Sequence, residues 1–133
     1  MHNRSMYCNL GRYAGSGVQV RVHQATTLLQ RMAGLFWYGR PGRHRGLWLK
    51  PCNAVHTFGL GYAIDVVFLD AAGKVLKTVH VLRPNRFAWC RQAHSVVEFP
   101  ACYCRRNRYY AAALKRIVYA ASGARRGKDS SRC

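Results

Sequence analysis

The chain has 133 residues, the length of one domain, and half of them are hydrophobic, which excludes a protein that is disordered throughout. Its charge is unusual, because 22 Lys and Arg against 4 Asp and Glu give a formal net charge of +18 at pH 7. No segment approaches the roughly 20 apolar residues of a membrane-spanning helix, so we expect no membrane span.

The N-terminal part of the chain predicts, in this order, a flexible arm, a strand, a helix and a second strand. Residues 1–17 contain glycines and scattered arginines, which is typical of a flexible basic arm. Residues 18–22 alternate between apolar and polar side chains, as a half-buried strand does. A Thr-x-x-Gln capping box opens a short predicted helix whose apolar positions run to residue 36, and a loop at residues 39–42 ends it. A second short strand is predicted at residues 46–50.

The centre of the chain predicts a β-hairpin. Residues 63–69 are apolar except for Asp65, which indicates a strand buried on both faces. A turn at residues 70–73 ends in glycine, and residues 74–82 return as a β-branched run. A carboxylate inside an apolar strand is costly unless it is hydrogen-bonded. We therefore expect Asp65 either to accept hydrogen bonds from the loop at His56 and Thr57 or to offer an acceptor to a ligand at the mouth of the sheet.

The C-terminal part predicts a crossing segment at residues 87–90, a last strand at residues 95–99, and an amphipathic helix whose apolar positions recur from residue 110 to 121. The expected fold class is α+β and rich in β-structure: a strongly bent antiparallel sheet closing toward a small barrel, with one packed helix and a further C-terminal helix. The predicted parts are a flexible basic arm (1–17), one globular domain (18–101) and a basic tail with an amphipathic helix (102–133).

Three separated blocks resemble the bacterial domain-of-unknown-function family 192. They are ATTLLQRMAGLF at 25–36, PCNAVHTFGLGYAIDVVFLDAAGKV at 51–75 and LRPNRFAWCRQAHSVVEFPA at 82–101. The resemblance covers residues 18–101 and implies a small β-rich domain with no agreed catalytic activity, from a family often exported or encoded near pilus-assembly genes. After Ala101 the chain departs from the family's closing strand. Two alternatives follow: the C-terminal helix covers the sheet edge, or the reading frame changes near residue 101.

A candidate ligand site groups Cys52, His56, Thr57 and Asp65. A thiol, an imidazole and a carboxylate suit either a nucleophilic triad or a zinc site. Zinc sites usually pair Cys or His residues, and a lone Cys-x-x-x-His is common by chance, so we predict neither metal nor cofactor. The expected role of this group is structural or ligand-binding.

The aromatic residues of the domain have two interpretations. Core packing is predicted for most of them. The alternative is that some of them, beside Arg86 and Arg91, stack on bases or sugars. The residues concerned are Trp37, Tyr38, Trp48, Phe58, Tyr62, Phe87 and Trp89.

We predict a non-enzymatic accessory or ligand-binding module, associated with the envelope or with pilus assembly as the resemblance implies. One alternative is a polyanion-binding protein that acts through its basic ends, and some incidental polyanion affinity is expected in any case. The other alternative is a small thiol or metal-dependent hydrolase. The predicted polyanion contacts are Arg105, Arg106, Arg108, Lys115, Arg116, Arg125 and Arg126.

The N-terminal sequence has no apolar run of the kind an export signal requires, so we expect a cytoplasmic location, in contrast to the exported members of the family. Reduced thiols are then expected, and Cys52 with Cys90 is the pair for which a disulfide should be tested.

Overall fold

The computed structural model describes residues 21–25 and 45–123. The predicted arm, the predicted helix at residues 27–36, and Arg125 and Arg126 lie outside the described residues. The described strands are β1 Arg21–Ala25, β2 Arg45–Leu49, β3 Ala54–His56, β4 Ile64–Leu69, β5 Val75–Leu82, β6 Phe87–Trp89 and β7 Ser95–Pro100. The described helices are α1 Tyr103–Arg106 and α2 Tyr110–Ala121.

Five strands form the main sheet, in the order β1-β2-β7-β4-β5, and β3 with β6 forms a separate two-stranded outer sheet. Within the main sheet β1 and β2 are parallel, and the other neighbours are antiparallel. The predicted barrel is wrong, because β1 and β5 are the two edges of the main sheet and do not pair with each other. The last strand, β7, is inserted at the centre between β2 and β4, which keeps the two edges apart.

The main sheet is the middle layer of three, because it is buried on both faces. All six residues of β4 are buried. Since side chains alternate along a strand, Val66 and Phe68 pack toward the outer sheet, whereas Val67 and Leu69 pack toward the helices. This double burial explains why the β4 sequence is an apolar run and not an alternating one.

The predicted hairpin is confirmed as β4 and β5. Its turn is closed by Asp70, whose side-chain Oδ1 accepts the backbone N–H groups of Ala72 at 2.9 Å and Lys74 at 2.8 Å. Gly73 completes the turn with a φ of +86°, in the left-handed region that favours glycine. The strand predicted at residues 46–50 and the last predicted strand are confirmed as β2 and β7, whereas β3 and α1 were not predicted and the predicted crossing segment contains strand β6.

Helix α2 packs on a face of the main sheet, and its Tyr110 hydroxyl lies 2.7 Å from the Thr78 hydroxyl on the edge strand β5, so covering of the sheet edge by this helix stays a prediction. Its buried residues Leu114, Ile117 and Val118 follow helical spacing and join the core that contains Val67 and Leu69. The helix also rests on the hairpin turn, where a Cβ added at Gly73 would lie 2.6 Å from the Cβ of Val118. The described part of the segment that begins at residue 102 is therefore packed on the sheet.

Candidate functional site

Asp65 is fully buried, and its carboxylate accepts three backbone hydrogen bonds. Oδ1 accepts the N–H groups of Val81 at 2.9 Å and Cys102 at 3.1 Å, and Oδ2 accepts the N–H group of Cys104 at 2.9 Å. The expected donors in the loop at residues 56–57 are therefore wrong. Asp65 connects its own hairpin to the start of α1.

Two of the three donors have strained backbones. Val81 has a φ of +53° and Cys102 a φ of +68°, in the left-handed region that non-glycine residues rarely occupy. Such a conformation costs about 1–3 kcal/mol per residue and persists only where the surroundings enforce it. The hydrogen bonds to Asp65 supply part of that enforcement, because they fix the N–H direction of both residues. The register of the β4–β5 pair shifts between Ile64 and Val66, and Asp65 thus stabilises the fold where this irregularity meets the helical segment.

The ionisable groups beside Asp65 are poorly suited to catalysis at neutral pH. Burial, and then the nearby charge of Asp65, raise the pKa of the Cys104 thiol far above its ordinary value. Burial, and then Cys104, raise the pKa of Tyr103 to about 12. A thiol that stays protonated is a weak nucleophile, so Cys104 acts here as a buried packing residue.

Thr57 is fully buried and holds the loop that follows β5. Its hydroxyl donates to the carbonyl oxygen of Arg83 at 2.6 Å and accepts the backbone N–H group of Arg86 at 2.9 Å. The backbone N–H group of Thr57 also donates to the carbonyl oxygen of Arg86, at 2.9 Å. Thr57 therefore attaches the loop at residues 83–86 to the end of β3.

Cys52 is half-buried against the core under the outer sheet, and its thiol donates to the carbonyl oxygen of Ala54 at 3.1 Å. Cys90 packs against the same core. Both residues are thiols, as are Cys102 and Cys104, so no disulfide joins the four cysteines of the described part.

The four candidate residues do not form one site. His56 is exposed on the outer sheet, whereas Asp65 belongs to the helical side of the main sheet, so the main sheet lies between them. Within residues 21–25 and 45–123, no three His, Cys, Asp or Glu side chains are grouped closely enough to hold a metal ion. The geometry therefore gives the hydrolase alternative no support.

The outer sheet and the turn that follows β3 instead present four rings, here called the aromatic row: His56, Phe58, Phe87 and Trp89. Phe58 is 55% exposed, Phe87 54% and Trp89 61%. The prediction of core packing is wrong for these three residues, although it is confirmed for Trp48, which is 4% exposed.

Strand register explains how the aromatic row forms. His56 lies opposite Phe87 and Ala54 opposite Trp89, while Val55 and Ala88 form the inward-facing pair. The rings of Phe87 and Trp89 are 5.4 Å apart, and those of His56 and Phe58 are 5.3 Å apart, measured between centroids. The signal in the sequence was the alternation Phe-Ala-Trp, whose small middle residue faces the core. Sequence reasoning missed it because β3 was not predicted, so β6 had no partner.

Positive charge lies next to the aromatic row. The Lys77 Nζ donates to the carbonyl oxygen of Trp89 at 3.0 Å and lies 5.9 Å from the centre of its ring. Arg83 and Arg86 are exposed in the loop whose backbone is hydrogen-bonded to Thr57, and Arg86 directly precedes Phe87 in the sequence. The row therefore has a cation beside Trp89 and two more beside the Thr57 end of the outer sheet.

Negative charge on the described surface is scarce. Asp65 and Glu98 are buried, and the half-buried Asp70 is engaged in its turn. The predicted polyanion contacts Arg105, Arg106, Arg108, Lys115 and Arg116 are all exposed on α1, α2 and the turn between them. The described surface is thus almost uniformly positive.

The fold resembles two crystal structures of bacterial proteins. One is a proposed transcription regulator from Sinorhizobium meliloti 1021, with a TM-score of 0.59 and 17% identity over 65% of this chain and 73% of that chain. The other is a protein of unknown function from Novosphingobium aromaticivorans DSM 12444, with a TM-score of 0.58 and 16% identity over 65% of this chain and 67% of that chain. At these identities the similarity concerns the fold alone.

The family is identified by its sequence model. The chain belongs to domain-of-unknown-function family 192, described as an uncharacterised ACR, and the match covers residues 12–109. The resemblance found in the three blocks is therefore confirmed, and the family pattern extends past residue 101 through α1. No curated protein matches the chain. Neither of the helices in the described ranges is long and apolar enough to cross a membrane.

Proposed function

We propose that this protein is a non-enzymatic binding module and that the aromatic row is its ligand surface. One observation carries the proposal: Phe87 and Trp89 on the outer sheet, and Phe58 in the turn that follows β3, are each more than half exposed. Exposed aromatic surface is unfavourable in water by about 25 cal/mol per Å², so a contiguous patch of it typically marks an interaction site. Aromatic residues are also enriched at the centres of interfaces.

The hydrogen bonds and burial of the polar residues outside the aromatic row support the non-enzymatic part of the proposal. Asp65 and Thr57 use their side chains to hold backbone segments, and the Cys104 thiol stays protonated at neutral pH. A general base or nucleophile must instead reach a substrate. The association with the envelope or with pilus assembly stays a prediction.

A ligand panel tests the proposal. The full chain, labelled with ¹⁵N, is titrated with oligonucleotides, oligosaccharides and short peptides, and the indole N–H signal of Trp89 is followed. We expect at least one class to shift this signal and to bind more weakly to Trp89→Ala. Tyr119→Ala is the matched control, because Tyr119 is an equally exposed aromatic residue, at 55%, on α2. A panel that shifts nothing at the aromatic row would contradict the proposal.

A second candidate function is polyanion binding through the basic ends, and the exposed cations of α1 and α2 favour it. If a nonspecific positive field binds DNA, the affinity for a duplex should fall by about 10³-fold or more between 50 and 200 mM salt, for about six phosphate contacts. The test should truncate only residues 124–133. Helices α1 and α2 must be kept, because Tyr103, Leu114 and Ile117 belong to the core. An affinity that is unchanged by salt would contradict this candidate.

A further inference from the structure

We infer that the ligand of the aromatic row is single-stranded nucleic acid, with bases stacked on the rings and phosphates on the flanking cations. This inference rests on the proposed function, since it names the ligand class for the same surface. It differs from binding through the basic ends, because the bases and not only the phosphates would contribute to affinity.

The geometry of the row suits unpaired bases. Three of the rings lie on the sheet surface and Phe58 lies in the turn that follows β3; the centroids are 5.3 Å apart for His56 and Phe58 and 5.4 Å apart for Phe87 and Trp89. The ring planes of Phe87 and Trp89 are tilted by 35°, so the two rings do not cover each other as a parallel stack would. Exposed rings on a sheet, beside a positive groove or edge, are the usual platform for single strands, and stacking on them tolerates any base sequence.

The charges near the row suit a phosphate backbone. Lys77 uses one of its three N–H groups on the carbonyl oxygen of Trp89, which leaves two for a ligand. Arg83 and Arg86 are exposed on the loop next to Thr57. The Arg86 Nη1 donates to the carbonyl oxygen of Asn85 at 3.3 Å, and the remaining guanidinium donors of the two residues match phosphate geometry. Among the described carboxylates none is fully exposed, so no exposed negative charge near the row opposes a polyanion.

The same observations disfavour the other ligands that stack on aromatic rings. A neutral oligosaccharide offers no charge to the cations beside the row, and the described carboxylates that could accept its hydroxyl groups are buried or engaged in a turn. A second copy of this chain would bring a net charge of +18 against the same charge. Duplex DNA offers the phosphates but keeps its bases stacked inside, so it should not use the rings.

Three probes of equal length separate these possibilities. Fluorescence anisotropy of the full chain is measured with oligo(dT) of about 15 nucleotides, an abasic oligodeoxynucleotide and a duplex. We expect oligo(dT) to bind about tenfold or more tightly than the abasic strand, which has the same phosphates. Trp89→Ala and Phe87→Leu should each weaken oligo(dT) binding by about fivefold or more and leave abasic binding unchanged. Tyr119→Ala should change neither affinity, and thermal unfolding verifies that each variant is folded.

The outcomes separate failure of the inference from failure of the proposed function. Equal affinity for oligo(dT) and the abasic strand, or ring variants that bind oligo(dT) as well as the wild type, would overturn the inference, because charge alone would then explain binding. A Trp89 signal that shifts with an oligosaccharide or peptide but not with oligo(dT) would overturn the inference and leave the proposed function standing. If no class shifts the signal, both fail.

Discussion

The most unusual side chains on the two sides of the main sheet differ in burial: those on the helical side are buried, whereas those on the outer sheet are exposed. On the helical side, the carboxylate of Asp65 is buried and satisfied by three backbone donors, and the ring of Tyr103 stacks on Phe99 with centroids 4.1 Å apart. On the outer sheet, Phe87 and Trp89 have large exposed surfaces; their ring centroids are 5.4 Å apart, and the Lys77 Nζ lies over the ring of Trp89. The unusual residues of the helical side are therefore accounted for by the fold, whereas the large rings of the outer sheet are exposed.

This comparison shows that an unusual residue in a sequence is not by itself a functional residue. Asp65 is the least expected residue of its strand, yet its hydrogen bonds account for it completely as part of the fold. Phe87 and Trp89 are ordinary strand residues, yet nothing in the described fold requires their rings. Substitutions on the two sides should accordingly differ in what they change.

The largest loss of stability is expected for Gly73→Ala, on the helical side. The substitution places a Cβ at a φ of +86° and 2.6 Å from the Cβ of Val118, so backbone strain and overpacking add to about 2–5 kcal/mol in the free energy of unfolding. Gly123→Ala is the matched control, because its φ is +74° with no atom within 4 Å of the added Cβ, and it should cost about 1–2 kcal/mol. Urea unfolding measures both. Equal losses would mean that α2 does not rest on the hairpin turn.

Asp65→Asn should lower the free energy of unfolding by about 1.5–3 kcal/mol. Asparagine has one acceptor oxygen where aspartate has two, and its NH₂ group would face an N–H donor such as that of Cys104. Urea unfolding measures the loss, and oligo(dT) anisotropy should show unchanged binding at temperatures where the variant is folded. Unchanged stability combined with lost binding would reverse the assignment of Asp65 to the fold.

Tyr103→Phe should leave stability unchanged or raise it by up to about 1 kcal/mol at pH 7, because the buried hydroxyl has no hydrogen-bond partner among the described residues. In the wild type, the pKa of Tyr103 is about 12 when folded, against an ordinary value of 10.0, so the unfolded chain loses this proton first. The contribution that the neutral Tyr103 hydroxyl makes to the free energy of unfolding is fully present below pH 10 and is lost as the pH rises toward 12.

The measurement is urea unfolding of both proteins at several pH values from 7 to about 12. The variant should lose less stability than the wild type above pH 10, and the difference between the two proteins isolates Tyr103 from the other alkaline titrations. Identical pH profiles would show that burial of this hydroxyl contributes nothing to the alkaline loss.

The smallest effect on stability, about 0.5 kcal/mol or less, is expected for Trp89→Ala on the outer sheet, because the side chain is 61% exposed. Val55→Ala, in the neighbouring strand of the same sheet but facing the core, is the control and should cost about 1–3 kcal/mol. Thermal and urea unfolding measure both. A loss at Trp89 as large as the loss at Val55 would make the ring part of the core and would weaken the proposed binding surface.

Local patterns in the sequence predicted much of the fold. The apolar run of β4, the turn at Asp70 and Gly73, and the helical spacing of α2 all depend on neighbouring residues, so they could be recognised without the rest of the molecule. The three-residue strand β3 was missed because it is too short to show a period. The open sheet was missed because the pairing partners of β7 are distant in sequence.

The candidate residues show what the sequence alone determines and what only the tertiary structure decides. The sequence alone determined that Asp65 must be hydrogen-bonded, because a buried charge in a strand is costly wherever it lies. It also determined the high positive charge. Only the tertiary structure decided which donors reach Asp65, because Val81, Cys102 and Cys104 come from two segments that the fold brings together. It also decided which rings face water, because exposure depends on the register of β3 with β6 and on the layer beneath them.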